Sequence, residues 1–440
     1  MKRIRRPALL FVVLATLAAC QTTGGRDAYE APLRKAGLAP AAEATTPPAE
    51  ETPSHAAHAG ADGTVTLDGV TYSIADLEPG SRPAGNTDEA GWWMVMDRAE
   101  REVTTAGNRV TDPALNAYIS EIACRIAGDH CGDLRVYLIH RAAFNASMAP
   151  NGMMSVWTGL LLRMRNEAQL VAVLGHEFGH FLRRHTLQRM RDIIDMTNGL
   201  IFFQLAVGAA GVGPIGDIAA LGVLGSIQAY GRDQEREADG YGLLFLSRQG
   251  FDPREAAKIW SALNREHEAD PDRKKPDLFF ASHPPSEERQ RVLAELGARL
   301  QQQTGKIATG RERYLAAILP HRTGWLRDEM HLRRFASTDV LLDDLLADDP
   351  NPAELLFFKG ELRRLRGEDG DDATALDFYS KALAAAGAIP AELHRSQGIL
   401  LLRFGDEPGA VAAFRRYLGA APEAGDRRFI EQMIERYSVS

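Results

Sequence analysis

The sequence has little cysteine, no concentrated stripe of basic residues and no apolar run long enough to cross a bilayer. Its 440 residues include three cysteines, and the formal net charge is −8. Cys124 and Cys131 do not have the spacing of a zinc knuckle, and no second cysteine pair accompanies them. An acidic chain without a Lys/Arg stripe argues against nucleic acid as a partner. Several spanning helices would also be needed for a polytopic membrane protein, and the sequence does not provide them.

One apolar, glycine-rich segment at 200–225 could be mistaken for a membrane span or a nucleotide site. Pro214 and Asp217 interrupt it, so neither half reaches the ~20 residues that a bilayer requires. No Lys-Ser/Thr pair follows its glycines, which excludes a phosphate loop. We expect two short helices packed over or beside the functional site. Contact of these two helices with lipid headgroups is the alternative.

The N-terminus has the pattern of a secretory signal. Four basic residues precede a short apolar run from Ala8 to Ala19. The sequence Leu17-Ala-Ala-Cys20 resembles a bacterial lipobox, which implies cleavage after residue 19 and acylation of Cys20. Loss of residues 1–19 would change the net charge from −8 to −12. The resulting lipid anchor would hold the protein to an envelope membrane, and Gln21 after the cysteine favours the outer membrane. The alternative is an uncleaved N-terminal anchor.

The next segments connect this anchor to the folded body. Residues 20–63 are rich in Ala, Pro, Thr, Glu and Gly and predict a flexible tether. Residues 64–107 predict a small subdomain with a hairpin at Asp68-Gly69 and one helix. An oxidising compartment favours a disulfide between Cys124 and Cys131, although two ordinary thiols remain the alternative.

A helical segment at 166–185 contains the motif around which the chain is organised. Asn166 and Gln169 predict a capping box at its start, and apolar residues follow at helical spacing. His176, Glu177 and His180 form H-E-x-x-H, which places two imidazoles one turn apart. Two such histidines can hold one zinc ion, and the glutamate can act on water at the metal. The alternative is two ordinary exposed or core histidines.

The region before this helix predicts a small sheet. Asp112-Pro113 starts a helix, Leu134–Ile139 predicts a strand, and the Asn151-Gly152 turn leads into a second strand at Met153–Trp157. An extended substrate could add beside a strand that so closely precedes the motif helix. The alternative is an ordinary sheet edge.

A third metal ligand is expected on a later helix that contains Glu235-Arg-Glu-Ala-Asp239. Residues two apart point to different sides of a helix, so Glu235 and Glu237 cannot both face the metal. Glu235 and Asp239 share a face, which supplies a ligand and a carboxylate able to accept the other N–H of a bound histidine. Glu237 is therefore expected in solvent or in a salt bridge.

His185 is not expected to bind metal. Metzincins take their third histidine six residues after the second and need a glycine at the bend. His185 lies five residues after His180, with Leu182 and Arg183 at the position of the bend. We expect it to be packed or paired on the same helix.

Further motifs follow one another in a fixed order around this site. They are Asn145-Ala146, Gly159-Leu-Leu161, His-Glu-Phe-Gly-His180 with Arg184-His185, Glu235-x-x-Ala-Asp239, Gly250-Phe-Asp-Pro253, and Ser282-His-Pro284 with Glu288-Arg289. Over residues 108 to 300 they resemble the gluzincin family of CAAX prenyl proteases, HtpX and BepA, and its BepA-type branch in particular. Ser147 and Asn151 depart from the family pattern, which leaves the shape of the substrate groove open.

This resemblance implies an α+β, mainly helical gluzincin domain that binds one zinc ion per chain and hydrolyses peptide bonds. The zinc ligands would be His176, His180 and Glu235, with Glu177 as the catalytic base. In BepA-like relatives the histidine of Ser-His-Pro can occupy the water position, so His283 is a candidate fourth ligand or regulator. The alternative is a loop histidine without metal contact. The substrates implied are misfolded or stalled envelope proteins.

The last third of the chain predicts helical repeats. Gly398, Ala410, Phe414 and Pro422 have the spacing of the tetratricopeptide pattern, and a second set from Gly360 to Ala382 echoes it with about three extra residues in a turn. The alternative is a plain helical cap. The predicted domains are 108–305 for the metallopeptidase, 306–349 for a helical bridge and 350–440 for the repeats.

The sequence thus predicts a lipid-anchored zinc metalloendopeptidase on the periplasmic side of a bacterial envelope membrane, most consistent with the outer membrane. Its partners would be protein substrates and, through the repeats, outer-membrane assembly machinery. The rival hypothesis is a chaperone or assembly factor that acts through the repeats while His283 keeps proteolysis off.

Overall fold

A computed structural model describes residues 57–59, 65–67, 69–72, 77–197, 230–270, 278–284 and 287–438. These residues form sixteen α-helices and two small sheets, which confirms the mainly helical α+β class. The strands are β1 (Ala57–Ala59), β2 (Val65–Leu67), β3 (Val70–Tyr72), β4 (Arg135–Ile139), β5 (Ala146–Met148) and β6 (Met153–Trp157). The helices are α1 (Asp88–Thr105), α2 (Pro113–Ala127), α3 (Thr158–Arg163), α4 (Glu167–Leu182), α5 (His185–Thr197), α6 (Arg232–Arg248), α7 (Glu255–Glu268), α8 (Leu278–Ser282), α9 (Glu287–Thr304), α10 (Arg311–His331), α11 (Phe335–Leu346), α12 (Ala353–Arg366), α13 (Asp371–Ala384), α14 (Glu392–Arg403), α15 (Glu407–Ala420) and α16 (Arg427–Ser438).

Three features predicted from the sequence lie outside these residues: the signal segment, the acylated Cys20 and the apolar 200–225 segment. Across the described ranges, no helix combines the length and the apolar character needed to cross a membrane.

The first sheet is the predicted hairpin with one additional strand. Strands β2 and β3 pair antiparallel around Gly69, whose φ of 81° suits glycine in a tight turn. Strand β1 pairs with β2 and lies within the range where the sequence predicts a tether. The ring of Tyr72 packs edge-on against Tyr241, with centroids 5.4 Å apart, and so attaches this sheet to α6.

The second sheet has the order β4-β6-β5 and lies next to the motif helix. Gly152 is required in the turn before β6, because its φ is 90° and a Cβ atom would lie 2.0 Å from the carbonyl oxygen of Asp133. Strand β6 pairs with β4 on one side and β5 on the other. Because β6 has a partner on each side, a substrate strand cannot add to it and would have to add to an outer strand such as β5.

A buried carboxylate attaches helix α1 to this sheet. Glu100 accepts hydrogen bonds from Arg135 Nε at 2.5 Å, from the Tyr137 hydroxyl at 2.8 Å and from Asn151 Nδ2 at 2.9 Å. Burial raises the pKa of Glu100, but these hydrogen bonds outweigh burial and hold the pKa below its usual value. The charged form is therefore the stable one in the folded protein.

Helices α4 and α6 cross at close range, and their packing sets the geometry of the site. Asn166 caps α4 by accepting the Gln169 N–H at 2.9 Å, as the sequence predicts. All sixteen residues of α4 are buried. A Cβ atom on Gly175 would lie 2.8 Å from the Phe245 ring, and one on Gly179 would lie 2.8 Å from Tyr241 Cβ. The two glycines let α6 approach closely enough to bring its first turn to the histidines of α4.

The prediction of one helix continuing to His185 is wrong. Helix α4 ends at Leu182, and α5 begins at His185. The bend occurs at Arg184, which adopts a left-handed φ of 54° even though it carries a side chain. No glycine or proline marks this position, so the sequence gives no warning of the bend.

The C-terminal region is helical. Helices α12 and α13 pack as a pair, and so do α14 and α15. In each pair one glycine meets one aromatic ring, because a Cβ on Gly360 would lie 2.4 Å from Tyr379 and one on Gly398 would lie 2.5 Å from Phe414. The glycine and the aromatic residue are further apart in the sequence in the first pair of helices than in the second, as expected for the extra residues in the turn of the first pair.

Candidate metal centre

Four side chains from three separate segments meet at one buried point. His176 and His180 come from α4, Glu235 from the first turn of α6 and His283 from the end of α8, and all four are buried. Their candidate ligand atoms lie within 4.8 Å of one another. The Nε2 atoms of His176 and His180 are 3.1 Å apart. Oxygens of Glu235 lie 3.7 Å and 3.4 Å from these two nitrogens.

This set of donors fits a metal ion. Three imidazoles and one carboxylate are the ligand types that zinc and similar ions prefer. Two ring nitrogens facing each other at 3.1 Å cannot both keep a proton between them, so at least one lone pair points into the cluster. A cation bound among these atoms would accept the lone pairs of ring nitrogens that carry no proton.

Asp239 occupies the supporting position that the sequence predicts for it. Its Oδ1 lies 3.0 Å from His176 Nδ1, which leaves Nε2 of that ring directed at the cluster. Arg289 donates two hydrogen bonds to Asp239, each of 2.8 Å, and pairs with Glu235 Oε2 at 2.5 Å. Burial raises the pKa of Asp239, but the Arg289 charge and the His176 hydrogen bond outweigh it and hold that pKa below its usual value.

Glu177 lies beside the cluster as a buried carboxylate outside the set of ligand atoms. Its Oε1 is 3.3 Å from His283 Nε2, and the carboxylate also accepts the backbone N–H of Met148. Burial raises the pKa of Glu177 above its usual value. A carboxylate of raised pKa next to a metal position has the properties of a general base.

His283 lies between the ligands and the base. Its Nδ1 is 3.2 Å from His176 Nε2 and 3.0 Å from Glu235 Oε1, while Nε2 faces Glu177. The ring of Phe279 stacks on it, with centroids 4.5 Å apart. Burial disfavours the protonated ring, but the carboxylates of Glu235 and Glu177 outweigh burial and raise the pKa of His283. The structure thus places His283 at the cluster rather than in a distant loop.

Several contacts of the site could not be predicted from local sequence. Tyr230 stacks on the ring of His180, with centroids 3.8 Å apart, and its hydroxyl lies 2.9 Å from Thr186 Oγ1. The Nδ1 atom of His185 lies 2.9 Å from His180 Nδ1, and its Nε2 atom lies 2.9 Å from Glu237 Oε2. Each contact joins residues from different elements, so helical spacing carried no signal of it.

The remaining predicted site residues lie apart from the cluster. Cys124 and Cys131 are joined by a disulfide that links the end of α2 to the 3₁₀ turn after it, and neither belongs to the ligand set. Cys20 is outside the described residues.

Burial and neighbouring charges together set the protonation states of the candidate ligands. It lowers the pKa of His180 well below its usual value and so favours the neutral imidazole, which is the metal-binding form. Burial raises the pKa of Glu235, but nearby charges, His283 first among them, outweigh it and hold that pKa well below its usual value. A neutral imidazole and an ionised carboxylate are the states that a metal ligand set requires.

Comparison with known proteins finds a family whose model covers this site. Residues 110–296 match the model of peptidase family M48, and this range contains all four residues of the cluster. The match confirms the resemblance to a metallopeptidase family that the motifs carry.

Individual relatives agree with this family match. The beta-barrel assembly-enhancing protease of Escherichia coli (strain K12) is 27% identical over 205 residues, which cover 43% of this chain and 42% of that protein. The metalloprotease YcaL of the same strain is 34% identical over 155 residues, or 33% of this chain and 55% of YcaL. The mitochondrial metalloendopeptidase OMA1 of Schizosaccharomyces pombe is 29% identical over 208 residues, or 46% and 59%. The chain thus spans less than half the length of the assembly-enhancing protease that it matches.

Proposed function

We propose that this chain, whose residues 110–296 form a domain of peptidase family M48, is a zinc-dependent metalloendopeptidase of a bacterial envelope membrane. One observation carries the proposal: His176, His180 and Glu235 converge on one buried point with Glu177 beside them. Two imidazoles and one carboxylate are the ligands of a catalytic zinc, which keeps one further position for water or substrate. A structural zinc site has no use for a neighbouring base, whereas Glu177 lies beside this cluster.

The residues around the metal position have distinct roles in hydrolysis. A zinc ion bound here would act as a Lewis acid that activates water and polarises a peptide carbonyl. Glu177 takes a proton from the attacking water onto its carboxylate and passes it to the departing amine nitrogen. Asp239 orients His176 through its Nδ1–H, and Arg289 holds the carboxylates of Asp239 and Glu235 in place.

His283 supports a self-inhibited resting state within this proposal. Its ring lies where water or substrate would enter, with one nitrogen toward the ligands and the other toward Glu177. A histidine in this position would complete four protein ligands and exclude the reactants. Movement of the loop that carries it would then be needed before cleavage.

The envelope location and the substrates rest on other observations. The lipobox at Cys20 supports a lipid anchor, and matched relatives include proteins named beta-barrel assembly-enhancing protease. We therefore assign misfolded or stalled envelope proteins as substrates and the outer membrane as the location. Helices α12 to α15 resemble tetratricopeptide repeats in their glycine–aromatic contacts, which supports a binding role toward outer-membrane assembly machinery.

The position of His283 also favours a second candidate function. A chaperone or assembly factor could act through residues 350–440 while His283 keeps the peptidase off. In this alternative the helical repeats hold the client protein, and cleavage is residual.

Casein cleavage and zinc content, measured together on three purified proteins, distinguish the two functions. The proteins are the wild type, Glu177→Gln and His283→Ala. We expect one zinc per chain in the wild type and in Glu177→Gln, cleavage by His283→Ala above the wild-type rate, and none by Glu177→Gln. Zinc bound to all three proteins with no cleavage by any of them would favour the chaperone. Absence of zinc from all three would overturn the metallopeptidase proposal.

A further inference from the structure

A chain of hydrogen bonds leads from the metal position out to a second carboxylate on α6. His180 Nδ1 lies 2.9 Å from His185 Nδ1, and His185 Nε2 lies 2.9 Å from Glu237 Oε2. The ring of His185 is 1% exposed, so water does not replace these partners. The other oxygen of Glu237 pairs with Arg183 at 2.7 Å.

Only one arrangement of protons satisfies this chain once a metal is bound. His180 must direct the lone pair of Nε2 at the metal, so its Nδ1 carries the proton and donates it. His185 Nδ1 is the acceptor and has no proton, which places the His185 proton on Nε2. That N–H points at the Glu237 carboxylate, which can only accept. The hydrogen bond from His180 to His185 therefore requires the hydrogen bond from His185 to Glu237.

The bend after α4 builds this arrangement. Arg184 takes the left-handed conformation, and the chain turns so that His185 begins α5 with its ring against His180. Glu237 faces this ring from α6, two residues beyond Glu235. The side of α6 that does not face the metal thus supports a ligand from α4.

We infer that Glu237 and His185 are positioning residues that fix the ring orientation and tautomer of the zinc ligand His180. The inference rests on the proposed function, because it assumes that His180 binds a metal. His176 has a direct carboxylate partner in Asp239, whereas His180 reaches its carboxylate through a second imidazole. Both histidines of the motif are then oriented by α6, the helix that also supplies Glu235.

Zinc affinity tests this inference without depending on catalysis. The metal-free full chain is titrated with zinc against a chelator, and its cobalt(II) form is followed by visible absorption. Glu237→Ala removes the final acceptor, and His185→Phe keeps a ring while removing both nitrogens. We expect each variant to bind zinc 10- to 100-fold more weakly, on the order found for outer-shell partners, and to have an altered cobalt spectrum.

Two matched variants separate positioning from general damage. Glu237→Gln retains an oxygen that can accept from His185, so most of the affinity should return. Asp233→Ala removes an exposed carboxylate from the same helix, one that pairs with surface Arg236, and should bind zinc as the wild type does. Thermal unfolding of every metal-free variant shows whether the fold is retained.

The outcomes separate this inference from the proposed function. A wild type that takes up no zinc overturns both. A wild type that binds zinc, with Glu237→Ala and His185→Phe binding equally tightly, overturns the inference alone. Affinity losses that match a loss of folded metal-free protein would also overturn it, since they would indicate a structural role.

Discussion

The close approach of α4 and α6 predicts the effect of adding one methyl group at Gly179. A Cβ atom there would lie 2.8 Å from Tyr241 Cβ and 3.0 Å from Tyr241 Cγ. The Cβ atom of Tyr241 is fixed by the backbone of α6, so it cannot rotate away. Gly179→Ala must therefore push the two helices apart, and Glu235 on α6 must move away from the histidines of α4.

The expected change in the free energy of unfolding follows from two opposing effects. Alanine is favoured over glycine in a helix interior by about 1 kcal/mol. An extra methyl group in a packed core costs about 1–3 kcal/mol. Gly324→Ala in α10 carries only the helix gain, because nothing lies within 4 Å of a Cβ atom built there. The helix gain is common to both alanine variants and cancels, so Gly179→Ala should be less stable than Gly324→Ala by about 1–3 kcal/mol.

Urea unfolding followed by circular dichroism measures this difference, and chelator competition measures the zinc affinity of both variants. We expect Gly179→Ala to be the less stable and to bind zinc more weakly, with Gly324→Ala equal to the wild type in zinc affinity. Equal stabilisation of both variants would refute the claim that Gly179 sets the distance between α4 and α6.

Three further predictions test other parts of the fold. Glu100→Gln should cost about 1.5–3 kcal/mol by weakening the hydrogen bonds with Arg135. Because the folded pKa of Glu100 lies below the usual 4.5, its stabilisation is fully present above that pH and is lost as the pH falls through the folded value. The difference between the unfolding midpoints of the wild type and Glu100→Gln should therefore be smaller at about pH 4 than at about pH 7. Cys124→Ser should cost about 2 kcal/mol by opening a short loop, and wild type unfolded under reducing conditions should match it. Gly360→Ala places a Cβ 2.4 Å from Tyr379 and should lower the thermal midpoint of the C-terminal helices while zinc content stays unchanged.

The helices, and the spacing of the site residues along them, were predictable because both depend on residues that are close together in the sequence. Helical spacing places His176 and His180 one turn apart, and it also puts Glu235 and Asp239 on one face of a helix. In the structure His176, His180 and Glu235 meet in the cluster, and Asp239 lies against His176. The Asn166 cap also depends on neighbours only three residues away.

The features that sequence reasoning missed depend on contacts between distant segments or on unmarked backbone. Strand β5 is three residues long and shows no usable alternation, so it gains its identity only by pairing with β6. Arg184 adopts a positive φ without a glycine, and the bend was therefore unpredictable. Glu237 was expected in solvent or a salt bridge. Its salt bridge with Arg183 is present, but its bond to His185 arises only when α6 packs on the bend.

Anomalous diffraction at the zinc absorption edge, from crystals of the wild-type protein, tests the central claim most directly. We predict one strong peak among Nε2 of His176, Nε2 of His180 and the carboxylate of Glu235, with no protein sulfur bound to it. A peak elsewhere in the molecule, or none in crystals grown with zinc, would contradict the assignment of these three residues as the metal ligands.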